Sequence, residues 1–320
     1  MPELRHEALT GRTVIVATGR SARPRVFAPA PATSPAAAPD DCPFCAGHEA
    51  MTPPEVCRTG PGAPDTPGWR VRVVPNLYPI VGGVDATAGA TGAHEVVVLS
   101  PDHHRTFAAL APDQAVEVMK VLRDRARAHL DEGRAHVQVF VNQGRAAGAS
   151  IEHPHAQLVA LDLVPPAVDA AMARFEGAEA DLVGTALDGA RVAGRVVVDG
   201  AAAAWTPHAP AVPYEIALAH ERSGARFGDA TDTELEELTP VLQQSLARLA
   251  AVAGDPPYNV VVHSAPARVD AGTAMRWWVE VSPRLSVQAG FELGTGILVT
   301  TVPPESAAEA LRDAAAEVSS

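Results

Sequence analysis

Lysine is nearly missing from this sequence of 320 residues: Lys120 is the single example, and arginine supplies the rest of the 25 basic residues against 38 acidic ones. With a net charge of −13 and no basic stripe, the chain lacks the surface that displaces counterions from a polynucleotide, which excludes general nucleic-acid binding. A nucleotide ligand is not excluded, because a few arginines are enough to hold phosphates. Cysteine is scarce as well. Three residues, two of them in Cys42-Pro43-Phe44-Cys45, cannot build a disulfide framework, and such a pair reads better as metal ligands. No apolar run approaches a membrane span, so no membrane partner is expected. Residues 1–23 hold no apolar core of signal-peptide length, so the cytoplasm is the expected compartment.

What is present suits a folded α+β chain of two units. A hydrophobic content of 47% with 20% charge can bury a large core. A short strand is expected at 13–17, followed by Arg20, Arg23 and a Pro/Ala-rich loop at 28–40. After a strand at 69–74 and a Gly-rich loop at 82–92, one pattern occurs twice. Its first copy is a strand at 94–99, a helix at 112–130 and strands at 137–141 and 155–161. In that helix Ala115, Val118, Leu122, Ala126 and Leu130 share a face. The second copy is a strand at 214–219, a helix at 233–252 and strands at 258–263 and 277–281, with Leu235, Leu238, Leu242, Leu246 and Leu249 along the helix. The repeated order implies internal duplication, with halves 1–165 and 166–320, antiparallel sheets and helices packed on them. Residues 166–213, rich in Ala and Gly, are expected to connect the halves.

The chemistry gathers at His153-Pro154-His155-Ala156-Gln157, after a Gly148-Ala149-Ser150 turn. In an extended segment the two imidazoles and the carboxamide lie on one face. An imidazole can attack phosphorus, and an amide can hydrogen-bond the oxygens whose charge changes during attack. An isolated His-x-His is more often an inert pair at a strand end. The second copy carries Arg276, Trp277 and Trp278 at the matching place, so only the first half is expected to be reactive.

Six segments in order make the chain similar to the galactose-1-phosphate uridylyltransferase family, the transferase branch of the histidine-triad superfamily. They are Gly19-Arg20-Ser21-Ala22-Arg23-Pro24, Cys42-Pro43-Phe44-Cys45, Val73-Val74-Pro75-Asn76, Ser100-Pro101-Asp102-His103, the stretch 142–157, and 289–296 with its Gly290-Phe291-Glu292. The resemblance implies two histidine-triad-like halves and a two-step nucleotidyl transfer. His155 would attack the α-phosphorus of a nucleotide sugar, sugar 1-phosphate would leave, and a second phosphate-bearing acceptor would take the nucleotidyl group. Gln157 would hydrogen-bond the phosphoryl oxygens. Gly148 and Ser150 would bind phosphate, Asn76 and Asn142 would contact the nucleoside, and Phe291 and Glu292 would join the substrate-binding set. Cys42, Cys45, His103 and His153 match the family's zinc ligands, a closed tetrahedral set typical of one structural Zn2+. Arg20 and Arg23 match arginines that reach the neighbouring subunit's site, which implies a homodimer.

The match has gaps. Of a second metal site in the C-terminal half only His263 remains, so a second metal is not expected. No lysine lies near the Gly-Phe-Glu segment to hold sugar phosphates, and Arg284 is the candidate substitute. Asp255-Pro256-Pro257-Tyr258-Asn259 and the 290–296 segment also resemble relatives that phosphorolyse ADP-glucose. The leading expectation is exchange between UDP-glucose and a hexose 1-phosphate. The alternatives are a nucleotide-sugar phosphorylase using inorganic phosphate, and a non-catalytic zinc-braced nucleotide-binding protein. A histidine-triad hydrolase is disfavoured, because Gln157 stands where those enzymes carry a third His and cannot relay a proton.

Overall fold

The computed structural model describes residues 1–19, 39–82, 90–178, 180–269 and 275–318. Its strands are β1 (Glu3–His6), β2 (Thr13–Val16), β3 (Cys57–Arg58), β4 (Arg72–Pro75), β5 (Gly92–Val98), β6 (His136–Gln143), β7 (His155–Leu161), β8 (Val196–Val198), β9 (Ala202–Trp205), β10 (Ile216–His220), β11 (Tyr258–His263), β12 (Trp278–Pro283) and β13 (Leu298–Thr300). Its helices are α1 (Pro112–Asp131), α2 (Pro166–Glu176), α3 (Leu182–Val192), α4 (Asp232–Ala253), α5 (Gly290–Thr295) and α6 (Pro304–Val318). Among the described residues, ten strands form one antiparallel sheet in the order β3-β4-β5-β7-β6-β11-β12-β10-β9-β8. A separate sheet of β1, β2 and β13 has β13 running parallel to β2.

The duplication is visible in the strand order. The set β5-β7-β6 with α1 is matched by β10-β12-β11 with α4, and the two sets meet where β6 pairs β11, with Phe140 opposite Val261. Alternation along each strand then decides the faces. Val97, Leu99, Ala156, Leu158 and Ala160 point into a core under α1 and α4, where Val118, Leu122, Leu238 and Leu242 meet them. The opposite face of β7 carries His155 and Gln157. Helix α4 starts with a reciprocal cap, Thr231 and Glu234 each accepting the other's backbone N–H, and ends at Gly254 with φ of 74°. No helix in the described residues is long and apolar enough to cross a membrane.

The stretch 166–213 corrects its reading as a connection. It supplies α2, α3 and two strands of the main sheet, and Met172, Phe175, Val183 and Leu187 pack on Trp205, Ala217 and Trp278 over the second half. All four residues of β9 are buried, so Ala202-Ala203-Ala204 shows no polar–apolar alternation to betray a strand. The N-terminal strands also tie into the second half: Arg12 pairs with the buried Glu215 and reaches Glu280 at 3.2 Å.

One buried ionic cluster fastens α1 to the sheet. Glu95 of β5, 5% exposed, receives Arg125 Nε and Nη2 at 2.9 and 2.6 Å and lies 3.0 Å from His129 Nε2. Burial would raise the Glu95 carboxyl, but hydrogen bonds from His129 and Arg125 outweigh it and hold the pKa below the ordinary 4.5. Its contribution to stability is therefore present above pH 4.5 and is lost as pH falls through the lower folded value. Arg125→Leu is expected to cost about 3 kcal/mol, because it strands a buried carboxylate. Urea unfolding should show a lower midpoint at unchanged slope, with the difference from the parent protein shrinking in acid.

Candidate active site and metal centre

Cys42 and Cys45 sit in a tight turn closed by Cys45 N–H to the Cys42 carbonyl at 3.3 Å, with Phe44 N–H donating to Cys42 Sγ at 3.4 Å. His103 comes from the turn after β5, which Ser100 and Asp102 side chains hold by accepting backbone N–H groups at 3.0 Å. His153 stands two residues before β7 begins. His153 Nδ1 lies 3.6 Å from each sulfur, and His103 Nδ1 lies 3.3 Å from Cys45 Sγ. All four donor atoms fall within 4.8 Å of one another. The His153 Nε2–H donates to the Ser100 carbonyl at 2.8 Å, which leaves the Nδ1 lone pair facing the sulfurs. Burial and the facing Cys42 sulfur push the Cys45 thiol up to about 11, a penalty that a divalent cation removes. Two sulfurs and two imidazoles thus form a set that could hold a metal ion.

His155 heads β7, 6% exposed, with the Phe44 ring edge-on at 5.3 Å. Its Nδ1–H donates to the His153 carbonyl at 2.9 Å, so the Nε2 atom carries the free lone pair. Burial lowers its pKa, against the smaller opposite effect of that hydrogen bond. A cavity of about 200 Å³ opens beside it, lined by Phe44, Asn76, Tyr78, Ser150, His155 and Gln157 among others. The structure therefore brings Asn76, Ser150, His155 and Gln157, four of the residues named from the resemblance, to one cavity. Asn76 Oδ1 accepts the Tyr78 N–H at 2.9 Å, and Gln157 Oε1 lies 2.9 Å from His94 Nε2.

Asn142, on β6, accepts from Asn259 Nδ2 at 2.8 Å, and the same Asn259 amide donates to the Ala147 carbonyl at 2.8 Å. That pair steadies the turn ending at Gly148, whose φ of +96° suits glycine; a Cβ there would sit 3.6 Å from Asn142 Nδ2. Phe291 and Glu292 lie elsewhere, on the short α5. Phe291 is 48% exposed, while Glu292 accepts the Ala289 N–H at 2.9 Å and lines a separate cavity of about 520 Å³ with Arg284 and Gln288. Arg20 and Arg23 lie outside the described residues. In the second half His263 stacks flat on Trp278, with ring centroids 4.4 Å apart, and its Nε2 is 3.7 Å from Glu280.

His94, Phe44 and Asn259 belong to this site and were given no role from the sequence. The alternation of β5 places His94 on the face of Val96 and Val98, the one available signal, but not which side chain it meets. Cys57 remains apart on β3, its thiol pushed up by burial.

The DUF4921 family, described as a domain of unknown function, matches residues 80–318. The chain is similar to an ADP-glucose phosphorylase from Arabidopsis thaliana, 31% identical over 98% of this chain and 93% of the relative. It is also similar to a galactose-1-phosphate uridylyltransferase from Thermotoga maritima, 24% identical over 99% of this chain and all (100%) of that protein. Among solved structures, an ADP-glucose phosphorylase from Arabidopsis thaliana with bound ADP-glucose superposes with TM-score 0.85 and 29% identity, covering 98% of both chains. A uridylyltransferase structure superposes with TM-score 0.75 and 26% identity, covering 99% of both chains.

The donor set predicts one tightly bound divalent ion per chain by elemental analysis, and close to none in Cys42→Ser or Cys45→Ser. Because such an ion binds the folded state alone, stripping it with a strong chelator should lower the thermal midpoint. A midpoint unmoved by the chelator would count against the centre.

Proposed function

This chain belongs to the DUF4921 family, within the galactose-1-phosphate uridylyltransferase-like nucleotidyltransferases, and on that premise we propose that it moves a nucleotidyl group from a nucleotide sugar through a covalent intermediate on His155. The observation that carries this reading is the His155 hydrogen bond to the His153 carbonyl, which fixes the Nδ1–H tautomer and turns the Nε2 lone pair to the cavity. Nε2 forms a bond to the α-phosphorus while the bond from that phosphorus to the bridging oxygen breaks, and the sugar 1-phosphate departs with the electron pair. The imidazole then bears positive charge, which the His153 carbonyl stabilises through the retained Nδ1–H. An acceptor phosphate oxygen attacks the same phosphorus, the P–N bond breaks, and His155 returns to its neutral form. Gln157 donates to the phosphoryl oxygens, with Ser150 and the Gly148 turn beside it and Asn76 and Asn142 toward the nucleoside.

ADP-glucose as donor and inorganic phosphate as acceptor is the reading we favour. Its support is the likeness to the Arabidopsis phosphorylase at 31% identity, together with the absence of a lysine near Phe291 to anchor a second sugar phosphate. Exchange between UDP-glucose and a hexose 1-phosphate is the second reading, supported by the likeness to the Thermotoga enzyme over the full length of both chains. Zinc is the ion we assign to Cys42, Cys45, His103 and His153; with four protein donors it would brace the segment holding His155. The lining of the His155 cavity contains neither Arg nor Lys among the described residues. We therefore assign phosphate neutralisation to Arg20 and Arg23 delivered across a homodimer, and keep Phe291 and Glu292 in the substrate-binding set.

Intact-protein mass spectrometry after incubation with ADP-glucose alone should show a gain of one AMP, absent in His155→Ala and discharged by phosphate as ADP. Gln157→Ala should slow its formation by about 100-fold, the cost of removing one oxyanion donor. A UMP gain from UDP-glucose, discharged by a hexose 1-phosphate, would favour the second reading. No gain from either nucleotide sugar would overturn the covalent mechanism.

A further inference from the structure

His94 is 7% exposed and lies behind the cavity wall, where it touches the one amide that the transfer reading places on the phosphoryl group. We propose that His94 is a positioning residue that locks the Gln157 carboxamide with its two N–H donors facing the transferred phosphoryl group. This rests on the reading of His155 and Gln157 given above.

The argument starts from a backbone atom whose chemistry leaves no choice. Ile80 N–H can only donate, and it meets His94 Nδ1 at 3.3 Å. Asn76 Nδ2 lies over the same ring, 3.4 Å from Nδ1 and 3.2 Å from Nε2, and favours neither nitrogen, so the Ile80 N–H decides the tautomer. Nδ1 must therefore carry a lone pair, and in a neutral imidazole the proton then sits on Nε2. Nε2 is 2.9 Å from the Gln157 amide. Only the amide oxygen can accept from an N–H at that distance, since the reversed amide would set N–H against N–H. With Oε1 committed to His94, the Gln157 NH2 group is left for the cavity that Gln157 lines. A phosphoryl group presents acceptors, so this orientation attracts and the reversed one repels. Burial lowers the His94 pKa and keeps the ring neutral, the hydrogen bond to Gln157 being the smaller opposing effect. Protonation would place Nδ1–H against Ile80 N–H.

The test compares His94→Phe, which keeps the ring shape without nitrogen, with His94→Gln, which restores a donor and an acceptor. His94→Phe is expected to slow nucleotidyl-enzyme formation by about 10- to 100-fold, the usual cost of removing a group that orients another. The loss should appear equally in kcat and kcat/KM, as for an interaction made in the transition state, at a thermal midpoint near that of the parent. His94→Gln should recover most of the rate. In a Gln157→Ala background His94→Phe should cost nothing further. An equal loss in both backgrounds, or a loss that only tracks unfolding, would overturn the proposal. Nitrogen-15 spectra of histidine-labelled protein give a readout independent of activity: a neutral Nε2–H ring at His94 supports the proposal, and an Nδ1–H ring sinks it. If the parent protein takes no label from ADP-glucose or UDP-glucose, the transfer reading fails, while the spectrum still judges the orientation of Gln157.

Discussion

His153 is held from three directions, and the geometry around it follows from that. Its Nδ1 faces both cysteine sulfurs, its Nε2–H is fixed on the Ser100 carbonyl, and its own carbonyl receives the His155 Nδ1–H. Pro154 between the two histidines has a fixed φ and no N–H to misdirect. Its carbonyl accepts Leu99 N–H at 3.4 Å, which seats the segment beside β5. A three-residue unit thus carries the imidazole of the candidate metal site at one end and the proposed nucleophile at the other. Whatever immobilises the first ring also fixes the acceptor that selects the tautomer of the second. A metal held by the four donors would in this way bear on the reaction proposed for the neighbouring residue.

The second half shows what the same frame becomes without that unit. Trp278 heads β12 as His155 heads β7, and Glu280 lies two residues further on, as Gln157 does. The indole stacks on His263 and packs near Phe175, while Arg12 occupies Glu280. The place that is a cavity in the first half is filled with ring, α2 and α3 in the second. The filled half still contributes to the open one. Asn259, from β11, crosses the β6–β11 seam and uses both of its N–H donors on Asn142 and Ala147.

The two long helices were legible because each has a continuous apolar stripe at helical spacing, and their observed bounds differ from the expected ones by a residue or so. The repeated strand order was legible for the same reason. β9 was hidden because an Ala run buried on both faces leaves no period to read, and α2 and α3 because each is short and buries only two or three residues. Arg72 shows another limit. Arginines alternating with apolar residues suggest a strand with one wet face, yet Arg72 is 1% exposed and is balanced by Glu55 and Asp65 at 2.8 and 2.7 Å. Its partners are local in sequence but bear no signature of pairing. In the site, Cys42 and Cys45 announce themselves by spacing, and His103 and His153 only through the family's order of motifs. His94 could not be found that way, since its partner is 63 residues distant and the decisive contact comes from a backbone N–H.

Hydrogen-bond accounting ties these parts together. A phosphoryl group offers acceptors and almost no donors, whereas a primary amide offers both and can turn either way. Three amides assigned to substrate have their oxygens satisfied from within the protein: Asn76 by Tyr78 N–H, Gln157 by His94 and Asn142 by Asn259. Three separate elements, a loop backbone, β5 and the second half's β11, perform the same task on three neighbouring residues. The result is a set of oriented donors built without formal charge. In the proposed transfer, fixed neutral dipoles need no reorganisation as negative charge builds on the bridging oxygen that leaves with the sugar phosphate and positive charge builds on the imidazole. They do not balance the full charge of a pyrophosphate, and the cavity lining holds no cation among the described residues. On the proposed reading orientation and neutralisation are divided, the first built into the sheet and the second assigned to Arg20 and Arg23.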